Sequence, residues 1–252
     1  MLSQAKQKWI RSLEQKKFRQ EQGLFLAEGS KCCTDLLKLL PCRFLAATPE
    51  WLEANNALKA TEIVDATPEE IRKASLLKNP QEVLAVFEIP SYELNPEQLK
   101  GNLSLALDNI QDPGNLGTIL RIADWFGIRN VLCSIGTADA FNPKTVQATM
   151  GAIGRIRIQY LDLSEFLKSV QLPIYGTFLE GKILYDANLR SEGIIVMGNE
   201  GNGISEAVGK LVTDKLFIPD FPMGQTGSES LNVSVATAIV CSEFRRQALL
   251  KG

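Results

Sequence analysis

The chain has 252 residues, 45% of them hydrophobic and 22% charged, which is enough for two ordinary domains and shows no bias toward disorder. It contains no histidine, so a Ser-His-Asp triad, a Cys-His pair, a histidine metal site and an imidazole base are all excluded. The net charge of −2 counts against a uniformly basic nucleic-acid face, and five scattered cysteines without C-x-x-C spacing suit neither a disulfide framework nor a zinc site.

The N-terminus, "MLSQAKQKWIRSLEQKK", mixes charged and apolar residues where a signal peptide needs a continuous apolar core. No run of eighteen apolar residues follows, so no membrane span is expected and the expected location is the cytoplasm. Between Lys6 and Lys31 seven basic residues stand against three acidic ones, a local positive surface inside an acidic protein. A solvated helix face is the simpler account of those charges taken alone.

A basic first helix leads into a strand at "GLFLAEG" (23–29), a helix from about Ser30, and strands at "RFLAAT" (43–48) and "TEIVDAT" (61–67). A helix opens at "PEEIRKAS", with proline at its start, and a strand follows at "EVLAVFEIP" (82–90). The sequence therefore predicts a compact α/β domain over residues 1–92 and, because "PSYELNPEQLKGN" is polar and carries two prolines, a linker over 93–102.

The second domain, 103–252, is expected to be α/β as well. Strands are predicted at 103–109, 130–134, 155–161, 173–179, 193–199 and 215–219 with helices between them, giving a largely parallel sheet with its site at the carboxyl ends of the strands. Three loops stand out. In "LDNIQDPGNLGTILRIADWFGI" (107–128) Asn115 occupies a position suited to a helix N-cap, and Arg121 lies in an otherwise apolar helix, where an anionic partner is expected. In "VMGNEGNGIS" (196–205) Gly198, Gly201 and Gly203 are spaced G-x-x-G-x-G, which is neither the dinucleotide fingerprint nor a P-loop, and Glu200 sits between small residues. In "FIPDFPMGQTGSESLNVSVATAIVCSEF" (217–244) a Pro- and Gly-rich loop ends at Ser230-Leu231-Asn232, which opens a helix apolar on nearly every side, to be buried in the fold or in a subunit interface.

In this order "NIQDPGNLGTILRIA", "VMGNEGNGIS" and "FIP...SLNVSVATAI" resemble the three signature motifs of the SpoU (TrmH-type) branch of the SPOUT methyltransferases. "KKFRQEQGLFLAEG" (16–29) resembles the opening of that family's accessory substrate-binding domain. The resemblance implies a C-terminal α/β trefoil-knot methyltransferase domain behind a smaller, ribosomal-protein-like α/β domain, a homodimer formed through the knot, no metal, and transfer of a methyl group from S-adenosylmethionine to a ribose 2′-oxygen of transfer or ribosomal RNA. It places cofactor contacts at Gly198, Ile218, Leu231 and Asn232, and the catalytic set at Asn115, Arg121, Glu200, Ser230 and Asn232. Because a guanidinium is effectively always protonated, Arg121 is read as a grip on the phosphate beside the target ribose.

Two features depart from the family pattern. The third motif runs through a longer loop, which includes Met223 and Gly224, and Gln147 stands in "NPKTVQATMGAIG" where many relatives carry a basic residue. RNA contacts are therefore expected at Lys144 and at Lys16, Lys17 and Arg19 of the first domain. Two rivals stay open at this point. One is a non-enzymatic RNA-binding module, and the other is a nucleotide-linked oxidoreductase, which would need an intact G-x-G-x-x-G.

Overall fold

The computed structural model describes residues 1–222 and 230–251. In chain order the elements are α1 (Gln4–Ser12), α2 (Lys16–Gln22), β1 (Leu24–Glu28), α3 (Ser30–Leu37), β2 (Cys42–Ala47), α4 (Pro49–Ala54), β3 (Ile63–Asp65), α5 (Pro68–Ala74), β4 (Val83–Glu88), β5 (Leu103–Leu107) and α6 (Pro113–Trp125). They continue as β6 (Asn130–Ser134), α7 (Pro143–Thr149), β7 (Arg157–Leu161), α8 (Leu163–Ser169), β8 (Ile174–Ile183), β9 (Gly193–Met197), α9 (Glu206–Gly209), β10 (Asp214–Phe217) and α10 (Val233–Lys251). The chain divides into two units, Met1–Ser91 with Asp139–Arg155, and Tyr92–Ala138 with Ile156–Gly252.

The first unit holds a four-stranded sheet in the order β1-β4-β2-β3, antiparallel except for the β2–β3 pair. The central strand β4 buries Val83 to Phe87 without interruption, as a strand covered on both faces must. Leu26, Phe44, Ile71, Leu84 and Val86 form its core with Ile10 and Leu13 from the N-terminal helical region. Helix α5 starts where its sequence dictates: Thr67 and Glu70 form a reciprocal capping box and Pro68 occupies the first turn.

Residues 139–155, contiguous in sequence with the second domain, pack into this first unit. Phe141 lies 5.0 Å, ring centroid to centroid, from Phe25, and Asp139 pairs with Arg19 at 2.5 Å. This corrects the expectation for Arg19. The residue is 1% exposed and its side chain donates to the carbonyls of Leu13 and Glu14 at 2.7 Å each, so it is occupied inside the unit and cannot reach RNA. Lys16 and Lys17, on the short helix α2, are exposed, as is Lys144 on α7. A buried cation stripped of its partner costs about 3–5 kcal/mol. Asp139→Ala is accordingly expected to lower unfolding free energy by about 3 kcal/mol in chemical denaturation, and a loss below about 0.5 kcal/mol would show that the pair contributes little.

The second unit is built on a six-stranded sheet in the order β10-β8-β9-β5-β6-β7, with every neighbouring pair parallel. Strands β5 and β9 are buried along their whole length, which is why β9 reads as an apolar run and β5 as one broken only by Ser104. Strand β8 runs to Ile183, beyond its predicted end at 179, because pairing with β10 skips from Gly176 to Lys182 and the intervening residues bulge out. The stretch 93–102, expected as a linker, contains a 3-10 turn at Pro96–Leu99 whose Leu99 is buried. Among the described residues no helix is long and apolar enough to cross a membrane. All five cysteines are free and buried, and burial pushes the Cys42 thiol up to about 11 and Cys32 up to about 12.

Candidate functional site

Strands β5 and β9 are neighbours, so the loops that leave their carboxyl ends, 108–112 and 198–205, lie side by side at the position where open α/β sheets carry their sites. Helix α6 begins after the first loop. Its N-cap is Asp112, whose side chain accepts from the Asn115 backbone N–H at 2.8 Å, and Pro113 fills the first helical position. This corrects the reading of Asn115 as the cap. Displaced into the first turn, Asn115 has its side-chain amide free for another purpose.

That purpose is visible in the geometry. Asn115 donates from Nδ2 to Glu200 Oε1 at 3.0 Å and accepts at Oδ1 from Asn232 Nδ2, also at 3.0 Å. Asn232 in turn caps α10: its Oδ1 accepts from the backbone N–H of Ser234 at 3.0 Å and of Val235 at 3.4 Å, and from the Ser234 hydroxyl at 2.5 Å. The cap fixes which end of the Asn232 amide is oxygen, because only oxygen can accept from the helix N–H groups. Nδ2 must then face Asn115, whose own Nδ2 must face the Glu200 carboxylate. One directional chain thus joins residues 115, 200 and 232, one from each of the three loops.

The second loop is shaped mainly by its own backbone. Asn199 and Gly203 exchange backbone hydrogen bonds of 2.9 Å, and Gly203 adopts a φ of +69° that favours glycine. A Cβ on Gly198 would sit 2.2 Å from the Gly203 carbonyl carbon, so glycine is required there to close the turn, whatever the loop binds.

The remaining site residues are placed less closely. Arg121 is exposed on α6, and among the described residues no hydrogen bond joins it to Asn115, Glu200 or Asn232. Ser230 and Leu231 are exposed at the entrance to α10, Leu231 by 50%, while Ile218 is half-buried just after β10. Met223 and Gly224 lie outside the described residues, as does the rest of 223–229. Helix α10 is less enclosed than its composition suggests, with Val235, Leu249 and Leu250 exposed.

The chemistry of this donor set discriminates between ligands. The segments 196–205 and 230–232 contain no Lys or Arg, and their one charged side chain is the Glu200 carboxylate. Apolar Leu231 stands next to the amide chain. Such surroundings fit a neutral base and ribose bearing a cationic group, and do not fit a polyphosphate. Among the described residues no cluster of three His, Cys, Asp or Glu could hold a metal ion.

Sequence reasoning missed Asp108 and Asn199. Asp108 is buried, accepts from the Ser205 N–H at 2.8 Å and from Asn109 Nδ2 at 2.9 Å. Asn199 donates to the Asn109 carbonyl at 2.7 Å. An Asp at the end of an apolar strand was the available signal.

A parallel α/β sheet whose adjacent carboxyl-end loops share one hydrogen-bonded chain is the arrangement of a ligand-binding α/β domain. The SpoU rRNA methylase family model matches residues 102–242 and the MRM3-like substrate-binding domain model matches residues 5–85; the chain belongs to the SpoU rRNA methylase family. It is 36% identical over 172 residues to the 23S rRNA (guanosine(2553)-2′-O)-methyltransferase of Bacillus subtilis, across 67% of this chain and 66% of that protein's length. Among solved structures it resembles a TrmH-family protein from Porphyromonas gingivalis, with 42% identity, a TM-score of 0.88 and coverage of 98% of this chain and 99% of that one. It also resembles an AdoMet-bound rRNA methyltransferase from Sinorhizobium meliloti, with 30% identity, a TM-score of 0.83 and coverage of 98% and 97%.

Proposed function

We propose that the protein transfers the methyl group of S-adenosylmethionine to the 2′-oxygen of a ribose in structured ribosomal RNA. The observation that carries this reading is the directional chain Asn232–Asn115–Glu200, which ties the three family motifs together where the segments 196–205 and 230–232 carry no Lys or Arg. The RNA class follows from the B. subtilis and S. meliloti relatives, both named as acting on rRNA.

When bound, the cofactor supplies an electrophilic methyl on a sulfonium. Gly198, Ile218, Leu231 and Asn232 would hold it through backbone groups and apolar contact. Asn115 and Asn232 keep the Glu200 carboxylate and the entrance of α10 in register. Arg121 grips the phosphate beside the target ribose, its fork matching two phosphate oxygens. As the ribose oxygen takes the methyl, the new O–CH₃ bond would form while the methyl–sulfur bond breaks to leave a neutral thioether, and the hydroxyl proton would pass to that phosphate or to solvent. Ser230 orders the cofactor loop. Lys16, Lys17 and Lys144 contact RNA phosphates, which an acidic protein can do when a few basic residues converge.

The active species is a homodimer joined through the knotted domain. Trp125 on α6 is 83% exposed and Leu249 on α10 is 84% exposed, surfaces of the kind a subunit interface covers.

Isothermal titration tests the reading. S-adenosylmethionine is expected to bind with micromolar affinity or better and reduced nicotinamide dinucleotide not at all, on a protein sedimenting at twice 27.8 kDa. Nicotinamide binding without S-adenosylmethionine binding would overturn it.

A further inference from the structure

Asp108 follows β5 directly and is 2% exposed. Among the described residues no Lys or Arg pairs with it, and a buried carboxylate without a cation is costly. Its partners explain why it is a carboxylate. Oδ2 accepts from the Ser205 backbone N–H at 2.8 Å and Oδ1 accepts from Asn109 Nδ2 at 2.9 Å. Both partners are donors, and an amide of the same shape offers only one oxygen, so it could satisfy one of them and would oppose the other.

The two donors lead to the same loop. Ser205 is the last residue of 198–205. Asn199, near the start, donates Nδ2 to the Asn109 carbonyl at 2.7 Å, and its Oδ1 accepts from the N–H groups of Gly201 and Asn202 at 2.9 and 3.0 Å. The dipeptide Asp108-Asn109 therefore grips the loop at both ends, and Glu200 lies between the grips. Asn109 is itself held in a left-handed conformation, φ +58°, with its N–H donating to Ser134 Oγ at 2.9 Å. A Cβ on Gly136 would fall 2.1 Å from Asn109 Oδ1, so the strand-end glycine is what lets this side chain lie where it does.

We infer that Asp108 is a positioning residue for methyl transfer, holding the loop 198–205 so that the Glu200 carboxylate meets the Asn115 amide. The inference rests on the function proposed above. It differs from a purely structural role in requiring that Asp108 act through Glu200.

A double-mutant cycle separates the two. Asp108→Asn is expected to lower kcat about tenfold, the usual consequence of leaving one buried donor without its acceptor. In a Glu200→Gln background, itself impaired, the same change should cost nothing further, because the group being positioned is already gone. The exchanged pair Asp108→Asn/Asn109→Asp restores a donor facing an acceptor and should recover most of the lost kcat. An unchanged kcat in Asp108→Asn, or an equal loss in both backgrounds, overturns the inference and leaves methyl transfer standing. Wild-type kcat in Glu200→Gln, or no methyl transfer by the unaltered protein, overturns the proposed function and the inference with it.

Discussion

Arg121→Ala is expected to lower single-turnover methyl transfer by about a thousandfold while leaving the Kd for S-adenosylmethionine within about twofold of its original value. The split follows from geometry. Arg121 is exposed on α6 and takes no part in the chain Asn232–Asn115–Glu200, so the cofactor loops keep their arrangement without it. A guanidinium serves by charge and by its planar fork, and not by taking a proton. Arg121→Lys keeps the charge and loses the fork, and should fall between the wild type and alanine. Retained turnover in Arg121→Ala would remove this residue from the reaction; a large rise in Kd would place it in the cofactor site instead.

The second large effect falls on Asn232, which has two duties that two variants can part. Asn232→Ala removes both the cap of α10 and the donor to Asn115. It should raise the Kd for S-adenosylmethionine about tenfold and cost about 1 kcal/mol of unfolding free energy. Asn232→Asp keeps oxygen acceptors for Ser234 and Val235 and so keeps the cap, but it presents no donor to Asn115 Oδ1. The Asn115 amide must then turn toward one of two carboxylates. This variant should be as stable as the original by chemical denaturation and still bind the cofactor about tenfold more weakly by titration calorimetry. An unaltered Kd in both variants would refute the role of Asn232 in cofactor binding.

How much of this was legible in the sequence varied with the physical origin of each feature. Strands β5 and β9 were plain because burial on both faces leaves a mainly apolar run, interrupted in β5 only by Ser104, and their end loops were plain because glycine, proline and lone polar residues cluster after such runs. The cap of α6 was misassigned by three residues. Asp112 and Asn115 are equally good capping types, and Pro113 at the first helical position decides between them. Arg19 looked like one more cation in a basic stretch. Its burial depends on Asp139, 120 residues away, and no local pattern announces such a pair. The docking of 139–155 into the first unit was hidden for the same reason. The chain from Asn232 to Glu200 was legible as a set of residue types and not as a network. Its direction comes from the requirement that Asn232 present oxygen to the α10 N–H groups, a constraint that exists only once the helix start is in place.

The central claim is tested most directly by incubating the protein with methyl-labelled S-adenosylmethionine and, separately, ribosomal and transfer RNA from cells lacking the gene, then digesting the RNA to nucleosides. The account predicts label in ribosomal RNA, recovered as a single 2′-O-methyl nucleoside. Label on a base, or no transfer to any RNA by a protein that binds the cofactor, would contradict it.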